Sequence, residues 1–390
     1  MRVGPARARS YVGAAVRRAL ALVLLLGLAS GTSSSGAQSF ALAAAAREPS
    51  LPSPGPPGLA SVWRVNGRTV NDRASAWSLA AFSTDGKLVG ISDEAGTRVY
   101  RADDGKLLRM FPAPFSTGQS AFSLAISATG LVAMGRVGGL DIYRLDSNVE
   151  PLKYHCSGIC GPVSALAFSP NGALLAYQAA RGALETTPGL VNVVDLQKHA
   201  VVAALEASAT RAGVMFAADG RTLLAANVTR IDDRGTFGLR GWTGGVDWRR
   251  VRDEPGAQVP SGSIGPFAFD ERVAAYSYDG RVELRQLANG ALVWAASFVP
   301  PGLDAVVDNS PMRLDLVAFA RRGDLMLTYE SPQGGAVPGT LVFRRMTDGR
   351  TVAMYDVPGV SALAVAPDGA SFVYSTSVGR TYTVLARVPR

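Results

Sequence analysis

Histidine and cysteine are almost missing from this chain: two of each stand in 390 residues, His155 and His199, Cys156 and Cys160. That scarcity excludes most of the chemistry that a motif can announce. The sequence holds no HExxH zinc pair, no CxxCH haem attachment, no GxxxxGK[ST] phosphate loop and no GxSxG nucleophile elbow. Lysine is scarce too, at 4 against 35 arginines. Charged residues make up 18% of the chain and hydrophobic residues 47%, which excludes a disordered, self-repelling polymer. The apolar run Ala19 to Leu28 has ten residues, against roughly 20 for a bilayer-spanning helix.

A formal charge of +8 (39 Lys and Arg against 31 Asp and Glu) points first to nucleic acid. The distribution argues otherwise. Arg2, Arg7, Arg9, Arg17 and Arg18 lie in the first 37 residues, which hold no acid, and the remainder balances at 34 against 31, or +3. Arg249-Arg250 and Arg344-Arg345 are isolated pairs on strands, without the interleaved aromatics that stack on bases. No nucleic-acid partner is expected.

What is present begins with an export pattern. A basic segment, the ten-residue apolar run and Ser35-Gly36-Ala37 before Gln38 follow the order of a cleaved secretory signal. Pro49, Pro52, Pro54, Pro56 and Pro57 then mark a stiff, extended spacer. The expected organisation is a signal peptide at 1–37, an Ala/Pro-rich linker at 38–58 and a folded domain at 59–390. The expected location is extracytoplasmic, periplasmic or secreted, with no stable membrane span after cleavage.

The folded part repeats. Seven times an apolar strand enters a tight turn and leaves as a second apolar strand, as in LAAFSTDGKLVGIS (79–92), LAFSPNGALLAY (166–177) and LAVAPDGASFVYS (363–375). The anchors Phe82, Ile126, Phe168, Phe216, Phe269, Phe319 and Val365 are spaced by 44, 42, 48, 53, 50 and 46 residues. A second hairpin follows in the unit, turning at Asp104-Gly105, Asn289-Gly290 and Asp348-Gly349, where positive φ is tolerated. Two hairpins per 40–50 residues are the signature of a propeller blade. The expected fold is all-β: a seven-bladed β-propeller of four-stranded antiparallel blades. Only three strands are left for the last blade, so 60–70 is expected to supply its fourth and close the ring.

Ser92 to Tyr100 and Ser277 to Arg285 resemble the stretch that leads into the Trp-Asp dipeptide of WD repeats. The chain therefore resembles the WD-repeat and YVTN-type β-propellers over about 59–390. The dipeptide's aspartate survives as Asp195; arginine is read in its place at Arg101, Arg144, Arg285 and Arg344, and the Gly-His dipeptide is missing. The hydrogen-bond relay that the resemblance implies is thus expected to be largely absent.

No residue is assigned to catalysis, to a metal or to a cofactor. Cys156 and Cys160 in an exported protein are expected to form a short-loop disulfide; the rival, a soft-metal site with His155, has no supporting pattern. His199 falls in a hairpin turn. Leu287 to Trp294 resembles the tryptophan-docking repeat of quinoprotein propellers, seen here once, and Trp294 is expected to pack between sheets. Two readings stand: a non-catalytic scaffold for a protein or cell-envelope ligand, or a periplasmic propeller enzyme or enzyme subunit, quinoprotein-dehydrogenase-like or lactonase-like. The scaffold is preferred, because the strand starts facing the channel read mostly Ser, Ala, Leu and Val.

The first and third turns of a blade share one face, and the second turn and the link to the next blade share the other. Long segments belong to the second set: 179–189, 228–235 and 331–339 within blades, and 112–120, 252–262 and 298–312 between them, together with the Cys156 to Cys160 loop. Loops on a rigid scaffold carry recognition. Glu185, Arg230, Asp232, Asp233, Asp304, Asp308 and Gln333 are therefore the candidate binding residues.

Overall fold

The computed structural model describes residues 56, 58–66, 79–93, 95–112, 121–155, 160–181, 190–206, 211–231, 234–244, 248–259, 267–278, 281–286, 289–297, 312–320, 324–332, 339–357, 359–376 and 382–389. In this chain the repeated Asx-Gly punctuation cuts the sequence into short strands, and their apolar residues are buried between sheets. The strands are β1 (Ser61–Asn66), then β2 (Leu79–Phe82), β3 (Leu88–Asp93), β4 (Gly96–Arg101) and β5 (Leu107–Phe111), which form blade 1. Blade 2 holds β6 (Ser123–Ile126), β7 (Leu131–Arg136), β8 (Gly139–Arg144) and β9 (Leu152–His155); blade 3 holds β10 (Cys160–Phe168), β11 (Leu174–Arg181), β12 (Leu190–Asp195) and β13 (Ala200–Glu206). Blade 4 is β14 (Arg211–Phe216), β15 (Thr222–Ile231), β16 (Arg234–Thr243) and β17 (Arg249–Val259). Blade 5 is β18 (Phe267–Phe269), β19 (Val273–Tyr278), β20 (Arg281–Gln286) and β21 (Leu292–Ser297). Blade 6 is β22 (Met312–Ala320), β23 (Leu325–Pro332), β24 (Gly339–Arg345) and β25 (Thr351–Val357). Blade 7 contains β26 (Val360–Val365), β27 (Ser371–Thr376) and β28 (Tyr382–Arg387), and its fourth strand is β1. Seven four-stranded antiparallel sheets thus make a seven-bladed propeller.

The core lies between blades rather than within them. One cluster joins Val89, Ile91 and Tyr100 of blade 1 to Val373, Leu385 and Trp63 of blade 7. Another joins Leu327, Tyr329 and Phe343 of blade 6 to Phe372, Tyr374 and Val384 of blade 7. Each such side chain contributes roughly 1.5–3 kcal/mol when fully buried. A lone blade has only half of that contact and depends on its neighbours. First strands of neighbouring blades touch, as β26 with β2, β2 with β6 and β6 with β10. Among the described residues, fourth strands have no ladder partner on their outer side. The first strands therefore line the inside of the ring.

Closure is explicit. Residues Trp63 to Asn66 pair in antiparallel register with Leu385 to Tyr382. Trp63 is buried, and its indole N–H donates to Ala102 O of blade 1 at 2.7 Å. Beneath the ring sits Gly105, at φ +68, where a Cβ would lie 2.8 Å from the indole. Trp294 repeats the arrangement between blades 5 and 6, donating to Met346 O at 2.8 Å over Gly349 at φ +72. Between blades 1 and 2 the same strand position holds Arg109, which donates to Leu145 O at 3.0 Å. The fourth strand of one blade thus latches onto the last turn of the next.

The sequence reading misplaced two features. Residues 228–231 and 234–235 are paired strand rather than loop, because β15 and β16 run in unbroken register from Thr222↔Thr243 to Ile231↔Arg234, and 252–259 are strand β17 paired with β16 rather than part of a link between blades. Arginine 285 and Arg344 also do not occupy the Asp195 position. Met346 N bonds back to Asp324 O as Ala102 N does to Lys87 O, so Arg345 matches Arg101; Gln286 N bonds to Ala291 O as Arg101 N does to Lys106 O. A one-residue slip turns a side chain to the opposite sheet face, and Arg285 and Arg344 instead pair with Glu283 and Glu330.

Candidate functional site

The two ends of the ring are built differently. At one end, the described first turns and most third turns are tight and internally bonded; the third turn of blade 2, seven residues at 145–151, is the longest connection there. Ser83 and Ser169, both fully buried, end their strands and accept from Leu88 N and Leu174 N at 2.9 Å. They donate in turn to Asp85 Oδ1 at 2.6 Å and Asn171 Oδ1 at 2.7 Å. Asp219 and Asp195 hold similar turns through backbone N–H groups. The Thr222 N–H above all holds the Asp219 carboxyl below its ordinary range, and the Lys198 N–H does the same for Asp195. His199, at φ 51, lies in such a turn, as its sequence position implied. These turns are rigid spacers.

At the other end, every connection longer than seven residues is found: 67–78, 112–122, 182–189 and 298–311, with 12, 11, 8 and 14 residues between strands. Blade 4 adds a ribbon. Its hairpin runs four residue pairs past the point where Asp93 turns into Gly96 in blade 1, about 13 Å at strand rise. Strand β17 follows it as far as Val259, paired with Gly235.

Buried charge concentrates toward this end. Arg98 of β4 pairs with Asp93 at the end of β3, both buried. Blade 2 repeats the pair with signs exchanged: Arg136 ends β7, and its Nε donates to Asp141 Oδ1 at 3.0 Å. Arg136 Nη2 also donates to His155 Nδ1 at 3.3 Å. In blade 6 Arg344 donates to Glu330 Oε1 and, at 2.9 Å, to Thr328 Oγ1. Hydroxyl pairs accompany them: Thr97 donates to Ser92 at 2.9 Å, and Ser375 and Thr383 lie 2.8 Å apart. Each charge has its partner close by, which is the condition for tolerating it in a dry interior.

The innermost strands carry a feature that periodicity hid. In β10, β22 and β26 the register with the second strand slips between Val163 and Ala165, Leu314 and Leu316, and Val360 and Ala362. The extra residues are Ser164, Asp315 and Ser361. All three stand opposite the same step, between the fifth and sixth residues of β11, β23 and β27. Bulges re-aim side chains and cluster beside functional sites. Ser164 is exposed and Ser361 half-buried. Phe122 occupies the corresponding step in blade 2, its N–H bonded to Gly135 O at 2.9 Å and its side chain 41% exposed. The sequence signal for these bulges is slight: Pro162 before Ser164, and an acid inside the apolar run of β22.

Of the residues singled out from sequence, Glu185, Asp232, Asp233, Asp304, Asp308, Gln333 and Cys156 lie outside the described residues. Arg230 is placed by backbone alone, in β15 opposite Gly235, and Cys160 likewise, opposite Arg181. Among the described residues no group of three His, Cys, Asp or Glu is positioned for a metal, and no helix is long and apolar enough to cross a membrane.

Fold and repeat together define the class: a seven-bladed β-propeller with degenerate repeats. No protein-family description and no curated protein matches the sequence. Solved structures do match in shape. A chain of the mitotic checkpoint complex crystal structure aligns with TM-score 0.58 and 14% identity, covering 90% of this chain and 99% of that one. A chain of Kuenenia stuttgartiensis hydrazine synthase aligns with TM-score 0.59 and 13% identity, covering 83% and 99%. At these identities the likeness is one of fold.

Proposed function

We propose that this protein is an exported, non-catalytic propeller, related to the WD-repeat and YVTN-type group, that binds a protein or cell-envelope ligand through its long-connection end. One observation carries the reading: every connection longer than seven residues between the described strands, and the projecting blade-4 ribbon, share one end, while the connections at the opposite end hold seven residues or fewer, most of them tight turns. Variable segments on a rigid frame are the arrangement that recognition uses. The export pattern of 1–37 supports a partner outside the cytoplasm, and the +3 balance of the remainder gives no reason to seek a nucleic acid. Trp294, whose resemblance to the tryptophan-docking repeat raised the dehydrogenase reading, has an interblade latch as its task, as does Trp63. Among the described residues, the innermost strands bear a single carboxylate, Asp315, and no histidine, a poor set for the metal of a lactonase-type propeller.

The test trims 333–338 and, separately, the ribbon beyond Val228, then measures partner capture from envelope extracts by mass spectrometry alongside thermal stability. Capture is expected to fall with stability kept. Unchanged capture, together with loss on alanine substitution at the tight-turn end, would overturn the reading.

A further inference from the structure

We propose that Asn289 is a site of spontaneous deamidation through Gly290, and that the isoaspartate formed there releases the buried Glu283–Arg285 pair of blade 5. The sequence holds three Asn-Gly pairs, at 66–67, 171–172 and 289–290, and Gly67 lies outside the described residues. Glycine has no Cβ to shield its own nitrogen, so that nitrogen can attack the preceding side-chain amide carbon. The bond from Gly290 N to Asn289 Cγ forms, the Cγ–Nδ2 bond breaks, and ammonia leaves with the proton of Gly290 N. Water then opens the cyclic imide at either carbonyl, giving aspartate or isoaspartate; nothing is oxidised or reduced.

The third turns of blades 1, 5 and 6 share one geometry, and of the three blade 5 builds it with an amide. Gly290 N–H donates to Gln286 O at 3.0 Å, as Gly105 does to Arg101 O at 3.0 Å and Gly349 to Arg345 O at 2.9 Å. Asn289 Oδ1 accepts from Ala291 N at 2.9 Å, the task that Asp104 and Asp348 perform for Lys106 N and Arg350 N at 3.0 Å. An oxygen does the work each time, so the Asn289 amide nitrogen is dispensable and aspartate fits the turn. Isoaspartate does not. It runs the main chain through the former side chain, adds one carbon before Gly290, and leaves its carboxylate one carbon short of its former reach to Ala291 N. The turn also carries a clamp. Arg285 donates through Nη1 to Gly290 O at 2.8 Å and through Nε to Glu283 Oε2 at 2.9 Å, and Glu283 is 2% exposed. Displacing Gly290 O therefore pulls on the cation that a buried carboxylate needs. Asn171 is better guarded: its Oδ1 accepts from both Ser169 Oγ at 2.7 Å and Ala173 N at 3.1 Å, and Gly172 is buried where Gly290 is half-buried. Attack at either pair requires the glycine N–H to leave its carbonyl, a local opening that the added Ser169 bond opposes at Asn171.

The test ages the purified full-length protein in mildly alkaline buffer at body temperature, maps isoaspartate by enzymatic methylation and peptide mass spectrometry, and follows the melting temperature. Isoaspartate is expected to form severalfold faster at 289 than at 171, with the melting temperature falling in proportion. Hydrogen exchange of the aged wild type should quicken in β20 and β21 ahead of the other blades. Fresh Asn289→Asp should melt with the wild type, and Asn289→Ser should age without the label at this position and without most of the fall. In a Glu283→Gln, Arg285→Gln background, which lacks the clamp, ageing should cost less than half as many degrees. The exchange measurement needs no variant and decides the matter if that background does not fold. Label at 171 ahead of 289, fresh Asn289→Asp melting well below wild type, an equal loss without the clamp, or isoaspartate at 289 that leaves β20 exchange and melting temperature unchanged would each overturn the proposal.

Discussion

Replacing Trp63 tests how the ring is held shut. Trp63 is 7% exposed, donates to Ala102 O at 2.7 Å and covers Gly105. Trp63→Ala removes a large buried ring, about 3–5 kcal/mol, and leaves a blade-1 carbonyl without its donor. Trp63→Phe retains most of the ring and loses the N–H, about 1–2 kcal/mol. Over the 332 residues from Leu59 to Arg390, an unfolding entropy of about 2.1 cal/mol/K per residue gives about 0.7 kcal/mol/K. The melting temperature should therefore fall by about 4–7 °C for Trp63→Ala and about 2 °C for Trp63→Phe. Trp294→Ala, the same latch inside the chain, is the control and should match in melting temperature. The two should part in hydrogen exchange. β1 joins its blade through one ladder to β28, so Trp63→Ala should speed exchange of β28 amides selectively, a local opening short of global unfolding. A loss under about 1.5 °C with β28 protection unchanged would refute the latch.

The glycines under these latches are expected to be irreplaceable for two separable reasons. Gly105→Ala and Gly349→Ala meet both a positive φ and an indole, whereas Gly138→Ala, at φ +74, has nothing within 4 Å of the added Cβ. Denaturant midpoints should show about 1–2 kcal/mol for Gly138→Ala and clearly more for the other two. Asp93→Ala or Arg98→Ala alone should cost about 3–5 kcal/mol by stranding a buried charge. The double exchange Asp93→Arg with Arg98→Asp should restore most of that loss, since Arg136 and Asp141 already show the inverted arrangement; chemical denaturation of the three variants decides it. The depressed Asp219 carboxyl contributes stability above the unfolded carboxylate pKa of about 3.9, and the contribution is lost as pH falls through the lower folded value. The stability gap between wild type and Asp219→Asn should be widest near neutrality and close in acid, as melting curves across pH would show.

Architecture was legible because it is written seven times: Phe82, Phe168 and Phe319 recur at blade spacing, and Gly86, Gly172 and Gly369 mark turns that need positive φ. Closure was legible by subtraction, from a blade one strand short. The ribbon was not, because Val228-Thr229-Arg230-Ile231-Asp232-Asp233-Arg234 is too polar to announce a strand, and pairing with β16 supplies what propensity does not. The bulges were hidden for a different reason. A single inserted residue leaves the apolar count of a strand unchanged, and only pairing partners show that Ser164, Asp315 and Ser361 stand outside the alternation. Arg285 and Arg344 were placed one residue off because turn length, read from sequence, sets the frame of the whole hairpin.

The pairing of β1 with β28 also sets a clock. Trp63 is synthesised early, yet the strand it must lie against ends at Arg387, 324 residues later (387 minus 63). At about 5–20 residues per second, that interval lasts roughly 16–65 s. Through it β1 has no ladder, and six blades accumulate beside an open seam. The protein thus spends its youth as an arc, and whatever accompanies it during that time must keep one short apolar strand from pairing elsewhere until the far end of its own chain arrives.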